Sequence, residues 1–211
     1  EKKAKETVIK KFELHPFEKM IIGLNASYHS FEPAIGKGSR SNSQIIIDLY
    51  TKVMAEVLTL YPNVFFVLLP HDYRTKEFGE GDHQLAESIF NHLPKDVKER
   101  TVFSSEQLHA SEIKLICKQL DLVISGRMHL AIASLGAGTP VGCISYQDKF
   151  EGLFRHFEFS EEAVTINSNT ALSEIELVKF INEMIRNISN YKEHIAKELP
   201  RVIKLSNSNL L

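Results

Sequence analysis

The residues best suited to chemistry lie in the run Ser125-Gly126-Arg127-Met128-His129, which follows a short apolar segment. A strand, a glycine turn and a helix start point backbone N–H groups at an anion, and Gly126 lets backbone and ligand approach closely. Arg127 offers a planar fork of donors that matches carboxylate or phosphate. His129, in the first helical turn, can donate a proton near neutral pH. The run predicts an anion site at Ser125 and Gly126 with an acid beside it; a surface arginine and a structural histidine are the alternative.

Other candidates follow other predicted strands. Tyr146 and Lys149 lie in the loop after the next strand, with one helix and one strand between His129 and Lys149. If those two strands are neighbours in a parallel sheet, both loops lie at one edge, where ligands bind outside the carboxyl ends of the strands. Asn25 and His71 follow the first and second predicted strands, so we expect them to contact the ligand at the same edge. Solvated loop residues are the alternative interpretation of Lys149 and His71.

Short apolar runs alternate with helical stripes along the chain, which predicts a Rossmann-like three-layer α/β domain with a parallel sheet and helices on both faces. The predicted strands are Met20–Leu24, Val64–Leu69, Thr101–Ser104, Leu122–Ser125, Val141–Ser145 and Val164–Ile166. The predicted helices are Ser43–Leu60, Gln84–Leu93, Ser111–Leu120, Leu130–Leu135, a short one around Phe150–Phe157, Thr170–Arg186 and Tyr191–Leu205.

Composition excludes several classes of protein. The 211 residues carry a formal net charge of -2, which argues against a nucleic-acid partner held by a basic surface. The two cysteines, Cys117 and Cys143, lie in apolar runs without a metal-ligand spacing, so we expect buried small side chains and no metal site. No apolar run approaches the ~20 residues that a membrane-spanning helix needs.

The segment Asp121–Leu153 carries a specific resemblance. It reads DLVISGRMHLAIASLGAGTPV, then SYQDKFEGL. An apolar strand, R-x-H, a small-residue helix, G-T-P-V, a second strand, Y-x-x-K and a nearby Gly-Leu form a pattern that resembles the signature of the polysaccharide pyruvyl transferase family. The match is strong over about 35 residues; from Met20 to about Phe157 it extends only as an order of elements.

The resemblance implies the donor-binding, C-terminal domain of a two-domain GT-B-like enzyme. Residues 1–18 would then be a hinge from a missing N-terminal domain, residues 19–190 the donor domain, and residues 191–211 a C-terminal helix and tail. Such enzymes transfer the enolpyruvyl group of phosphoenolpyruvate to two hydroxyls of a sugar, giving a pyruvate ketal. The resemblance implies that Arg127 binds the phosphate or carboxylate of the donor, that His129 is the general acid and that Lys149 is a further essential cation.

The resemblance also implies partners and surroundings. Phosphoenolpyruvate would be the donor substrate, with no cofactor, and a sugar or lipid-linked oligosaccharide would be the acceptor. The reaction would serve cell-surface polysaccharide biosynthesis, in the cytoplasm at the inner face of the membrane.

One element of the family pattern differs. The family usually has an arginine just after the first strand of this domain, whereas Gly23–His29 reads GLNASYH. Arg40 and Lys37, in the following loop, are the candidate substitutes. Two alternatives therefore stay open: a GT-B glycosyltransferase that uses a nucleotide sugar, and a non-catalytic anion-binding domain of the same fold.

Overall fold

A computed structural model of the chain describes residues 19–36, 40–73, 81–103, 106–146 and 150–208, with the side chains of 40–42 left out. The leading segment 1–18, predicted as a hinge, lies outside the described residues. The strands are β1 Met20–Asn25, β2 Val64–Leu68, β3 Thr101–Phe103, β4 Leu122–Ser125, β5 Val141–Ser145 and β6 Thr165–Asn167. Each matches a predicted strand to within a residue or so.

The helices within the described ranges surround this sheet. They are α1 Tyr28–Ile35, α2 Arg40–Leu60, α3 Asp82–His92, α4 Lys95–Lys98, α5 Ala110–Cys117, α6 Met128–Leu135, α7 Glu151–His156, α8 Glu161–Val164, α9 Ser168–Ala171, α10 Glu174–Arg186 and α11 Ile188–Ser208.

The six strands form one parallel sheet in the order β3-β2-β1-β4-β5-β6. The chain first winds outward from β1 and then returns to its other side at β4, which makes the β1–β4 boundary the switch point where such sheets bind ligands. In the register, Asn25 lies beside Ser125, and Ser125 beside Cys143. This confirms the Rossmann-like class and shows that β4 and β5 are neighbours.

Alternate strand residues point to opposite faces, so each face has its own core. On one face Ile22, Leu24 and Ile124 pack with α2, α3 and α10. On the other, Ile21 and Val123 pack with α5, α6 and the middle of α11. Because both faces are covered, the interiors of the central strands are apolar on both sides, which is why their sequence runs were easy to recognise.

The structure differs from the sequence prediction in three short helices that were not predicted and in one predicted helix that is divided into two. Helix α1 was not predicted, and it contains Pro33, which cannot donate a backbone hydrogen bond. Tertiary contacts stabilise it instead: Phe31 is fully buried. The predicted helix Thr170–Arg186 is two helices, because the chain turns at Leu172 and restarts with Ser173 as the N-cap of α10. Helices α4 and α8, of one turn each, also escaped prediction.

Candidate functional site

The carboxyl edge of the sheet gathers most of the described residues that the sequence nominated. Asn25 and Ser125 end the two central strands, and both are fully buried. His71 lies in the loop after β2, and Arg127 and His129 lie at the start of α6. The residues that the sequence nominated therefore lie around the switch point of the sheet.

A side-chain bridge shapes the turn between β4 and α6. Ser125 Oγ donates to the Arg127 carbonyl at 2.9 Å and accepts from the Arg127 N–H at 3.0 Å. Gly126 has a packing reason for lacking a side chain, since a Cβ there would lie 1.9 Å from Ser30 Oγ. Ser30, buried on α1, donates to the Gly126 carbonyl at 2.9 Å. The turn is thus fixed by its own serine and by the neighbouring helix.

Arg127 contacts two carboxylates that the sequence analysis did not nominate. Its Nε lies 3.2 and 3.0 Å from the two carboxylate oxygens of Asp82, and its Nη2 lies 2.7 Å from Asp82 Oδ1. The same Nη2 lies 3.0 Å from Asp72 Oδ2. The Asp82 side chain is 1% exposed, whereas those of Asp72 and Arg127 are 13% and 21% exposed.

This arrangement keeps the guanidinium charged. Burial opposes the charge, yet the pKa of Arg127 is raised above its ordinary value, because the hydrogen bonds and attraction of Asp82, and then the attraction of Asp72, outweigh burial. Tyr146 makes a smaller contribution of the same sign. The predicted ligand residue Tyr146 therefore lies within electrostatic reach of Arg127.

Asp82 also connects three parts of the edge. It accepts a hydrogen bond from Asn25 Nδ2 at 3.1 Å and a long one from the His71 backbone N–H at 3.4 Å. Asn25 Nδ2 donates to the Leu69 carbonyl as well, at 2.9 Å. Within the described ranges, Asn25 Oδ1 and Ser27 Oγ are buried without a hydrogen-bond partner. The end of β1 and the N-cap of α1 therefore bring polar oxygens, not a cation, to this edge.

His71 and His129 form a stacked pair. Their ring centroids are 5.9 Å apart and the planes are inclined by 15°. Burial lowers the pKa of His71, and the proximity of His129 and Arg127 lowers it further against the opposing attraction of Asp82. The fold therefore favours the neutral form of His71, whose ring lies stacked beside that of His129.

A cleft of about 480 Å³ opens beside Arg127. Its lining comes from the loops after β2 and β3, from the start of α5 and from Arg127 itself: His71, Asp72, Tyr73, Gln107, Leu108, Ala110 and Ile113 complete the wall. A volume of this size suits a small metabolite. The cleft gives a ligand a route to the guanidinium.

Some nominated residues cannot be placed. Lys149 and Lys37 lie outside the described residues, and so does the side chain of Arg40, whose backbone begins α2. Their predicted roles stay predictions. Among the parts of the chain that the structure describes, no three His, Cys, Asp or Glu side chains are grouped to hold a metal ion. No helix in those parts is both long and apolar enough to cross a bilayer.

Asp72 and Asp82 are the site residues that the sequence analysis missed. Asp82 follows Gly81 at the start of α3, where an acid ordinarily interacts with the helix dipole in solvent. Asp72 follows His71 directly, so its position after β2 was the one available signal. Their pairing with Arg127 arises only from the contact between the loops of β2 and β4.

Solved structures with a similar fold include domains of several sugar-processing proteins. It is similar to the ADP-heptose lipopolysaccharide heptosyltransferase II of E. coli, with a TM-score of 0.58 at 10% identity over 89% of this chain and 53% of that one. It is similar to the C-terminal domain of a group 1 glycosyl transferase from Francisella tularensis, with a TM-score of 0.54 at 12% identity over 93% and 90% of the two chains. UDP-GlcNAc 2-epimerase from Neisseria meningitidis gives 0.55 at 11% identity over 99% and 48%.

The family follows from the sequence. The family model for polysaccharide pyruvyl transferase matches residues 19–148, more than half of the chain, and the protein belongs to that family. No curated protein sequence matches it. The chain spans about half the length of the heptosyltransferase and of the epimerase, and at these identities the structural likeness concerns the fold alone.

Proposed function

We propose that the chain binds phosphoenolpyruvate as the donor in a transfer of its pyruvyl group to two hydroxyls of a sugar. The observation that carries the proposal is the convergence of Arg127 and the stacked pair His71–His129 at the switch point of the sheet, within the segment that the family model matches. The acceptor would be a sugar or lipid-linked oligosaccharide of a cell-surface polysaccharide.

The donor's charge explains the choice of residues. Phosphoenolpyruvate carries a carboxylate and a phosphate on a three-carbon frame, so its site needs cations close together. Arg127 is a permanent cation whose pKa is raised. Lys149 follows β5, the strand next to β4, and would add a second cation at the same edge. A fixed cation near a developing charge stabilises the transition state without reorganisation.

His129 would act as the general acid. Its imidazolium would give a proton to the methylene carbon of the donor, which becomes a methyl group and leaves C2 electrophilic. One sugar hydroxyl then bonds to C2 and loses its proton, and the C2–O bond to phosphate breaks with the electron pair leaving on phosphate. The second hydroxyl bonds to C2 and loses its proton, so donor and diol give the ketal and inorganic phosphate.

His71 would favour this role through its neutral ring. Two imidazolium rings 5.9 Å apart would repel one another, and burial keeps the proton off His71. A neutral His71 would place no competing positive charge beside the general acid that we propose.

A non-catalytic anion-binding domain is the second candidate. Two observations favour it: Arg127 already contacts two carboxylates, and the loop after β1 has no arginine. Such a domain would bind phosphate as well as it binds phosphoenolpyruvate. The two candidates therefore differ in their preference among anions.

Thermal unfolding with added ligand tests the proposal. Wild type, Arg127→Ala and Arg155→Ala would be melted with phosphoenolpyruvate, inorganic phosphate or UDP-glucose. Arg155 is an exposed arginine on α7, so its substitution controls for the loss of one charge. We expect phosphoenolpyruvate to stabilise wild type and Arg155→Ala more than phosphate does, with no effect on Arg127→Ala. Stabilisation by UDP-glucose alone would overturn the proposal, and equal stabilisation by phosphate would favour the second candidate.

A further inference from the structure

The two carboxylates on Arg127 are not equivalent. Asp82 sits at the first position of α3, is almost fully buried, and accepts hydrogen bonds from Arg127, Asn25 and the His71 backbone. Asp72 lies in the loop after β2 at the wall of the open cleft. It meets the guanidinium through Nη2.

The positions of the N–H groups of Arg127 show which of them each carboxylate binds. A guanidinium has five N–H donors, one on Nε and two on each terminal nitrogen. Asp82 accepts hydrogen bonds from Nε and Nη2, which form one edge of the guanidinium. Asp72 accepts a second hydrogen bond from Nη2. Nη1 has no hydrogen bond to any residue in the described ranges. The edge formed by Nη1 and Nη2 is therefore the one left for a bidentate anion, and Asp72 holds half of it.

The net charge of Arg127, Asp72 and Asp82 also indicates that one carboxylate must move when an anion binds. One guanidinium between two carboxylates leaves the trio with a net negative charge, which repels an incoming anion. Asp82 cannot leave without losing the pairing of a buried charge and one of the two hydrogen bonds that the Asn25 amide donates. Asp72 is the more exposed of the two and lies beside the cleft.

We propose that Asp82 is a positioning residue that anchors Arg127, and that Asp72 occupies the place of the ligand's anionic group and competes with it. A phosphate or carboxylate entering from the cleft would replace Asp72 on the Nη1–Nη2 edge, while Asp82 keeps the Nε side. Asp72 thereby sets the affinity of the anion site. The inference rests on the proposed function only in taking that anion to be part of the donor.

Substitutions at the two positions should act in opposite directions. Asp72→Asn removes the competing charge with little change of shape, and we expect inorganic phosphate and phosphoenolpyruvate to bind roughly fivefold more tightly. Asp82→Asn loosens the anchor, and we expect both to bind at least about tenfold more weakly. A residue with a purely structural role would weaken binding in either case.

Isothermal titration calorimetry at constant ionic strength measures these affinities. Asp96→Asn, an exposed acid on α4 at the opposite edge of the sheet, controls for the change of net charge. In an Arg127→Ala background, Asp72→Asn should no longer improve phosphate affinity, because the competition needs the guanidinium. Melting curves establish that each variant is folded; if Asp82→Asn does not fold, the Asp72 series decides.

The outcomes separate this inference from the proposed function. Tighter binding of phosphate in Asp72→Asn, without any binding of phosphoenolpyruvate, would support the competition and contradict pyruvyl transfer. Affinity in Asp72→Asn no better than in wild type and Asp96→Asn would overturn the competition. Failure of both anions to bind Asp72→Asn would overturn it as well, since that variant offers the full edge.

Discussion

The imidazole rings of His71 and His129 stack with their planes inclined by 15° and their centroids 5.9 Å apart. The first ring comes from the loop after β2 and the second from the first turn of α6, so the contact joins the loops of the two strands on either side of β1. Nδ1 of His71 is buried without a hydrogen-bond partner in the described parts of the chain. Stability and chemistry at this edge should therefore both depend on pH.

Acid should destabilise the fold through His71. Burial lowers the pKa of His71 below its ordinary value of 6.5, so the unfolded chain takes up this proton at a higher pH than the folded one. The contribution to stability is complete above about 6.5 and is lost as the pH falls through the lowered value. We expect the free energy of unfolding in urea to decrease between pH 7 and 5 more in wild type than in His71→Gln.

His156→Gln is the matched control, because that side chain is exposed. It should leave the pH dependence of wild type unchanged. If wild type and His71→Gln lost stability in parallel, His71 would not be held neutral by the fold.

Gly126→Ala should destabilise the chain by about 1–3 kcal/mol. Its Cβ would meet Ser30 Oγ at 1.9 Å and Ser30 Cβ at 2.9 Å, which α1 cannot relieve without moving. Adding Ser30→Gly should restore part of the loss. Gly152→Ala is the control, since a Cβ there meets nothing within 4 Å and should be neutral or stabilising by up to about 1 kcal/mol. Equal urea midpoints for Gly126→Ala and wild type would contradict the tight approach.

His129→Ala should separate chemistry from binding. A positioned acid contributes about 10²–10⁴-fold to rate, so phosphate release from phosphoenolpyruvate in the active enzyme should fall by that factor. Donor affinity should stay roughly at the wild-type value, because Arg127 and its anchor are intact. A variant that turned over normally at saturation but bound the donor weakly would make His129 a binding residue and not the acid.

Both thiols should be inert in the folded protein. Burial raises the pKa of Cys117 to about 12 and that of Cys143 well above its ordinary value, and both side chains are fully buried. Because the thiolate is the reactive form, a chromogenic disulfide reagent should label neither cysteine natively and both in concentrated guanidinium chloride. Rapid labelling under native conditions would show that one face of the sheet opens readily.

The strands were predictable because the sheet is covered on both faces. A run such as Val64–Leu69 has to be apolar throughout, and runs of that kind bounded by turn residues are visible in the sequence. The strand order was not predictable, since the pairing of β1 with β4 joins residues 100 positions apart and depends on how the helices pack.

The site was predictable to the same extent as the sheet. Arg127 and His129 follow a recognisable strand, so their place at the carboxyl edge could be read from position alone. The partners of Arg127 could not. Asp82 resembles a solvated acid at a helix start, and it is buried only because the loops after β2 and β4 meet above β1. Burial of a charge is a property of the assembled fold.

Histidine resonances give the most direct test of the central proposal, that phosphoenolpyruvate binds between Arg127 and the histidine pair. The chain would be labelled with ¹⁵N-histidine, assigned with His71→Gln and His129→Ala, and titrated with phosphoenolpyruvate and with UDP-glucose. The account predicts saturable shifts of the His71 and His129 ring signals with phosphoenolpyruvate, absent in Arg127→Ala and unaffected by Arg155→Ala. Shifts of these rings with UDP-glucose and none with phosphoenolpyruvate would contradict it.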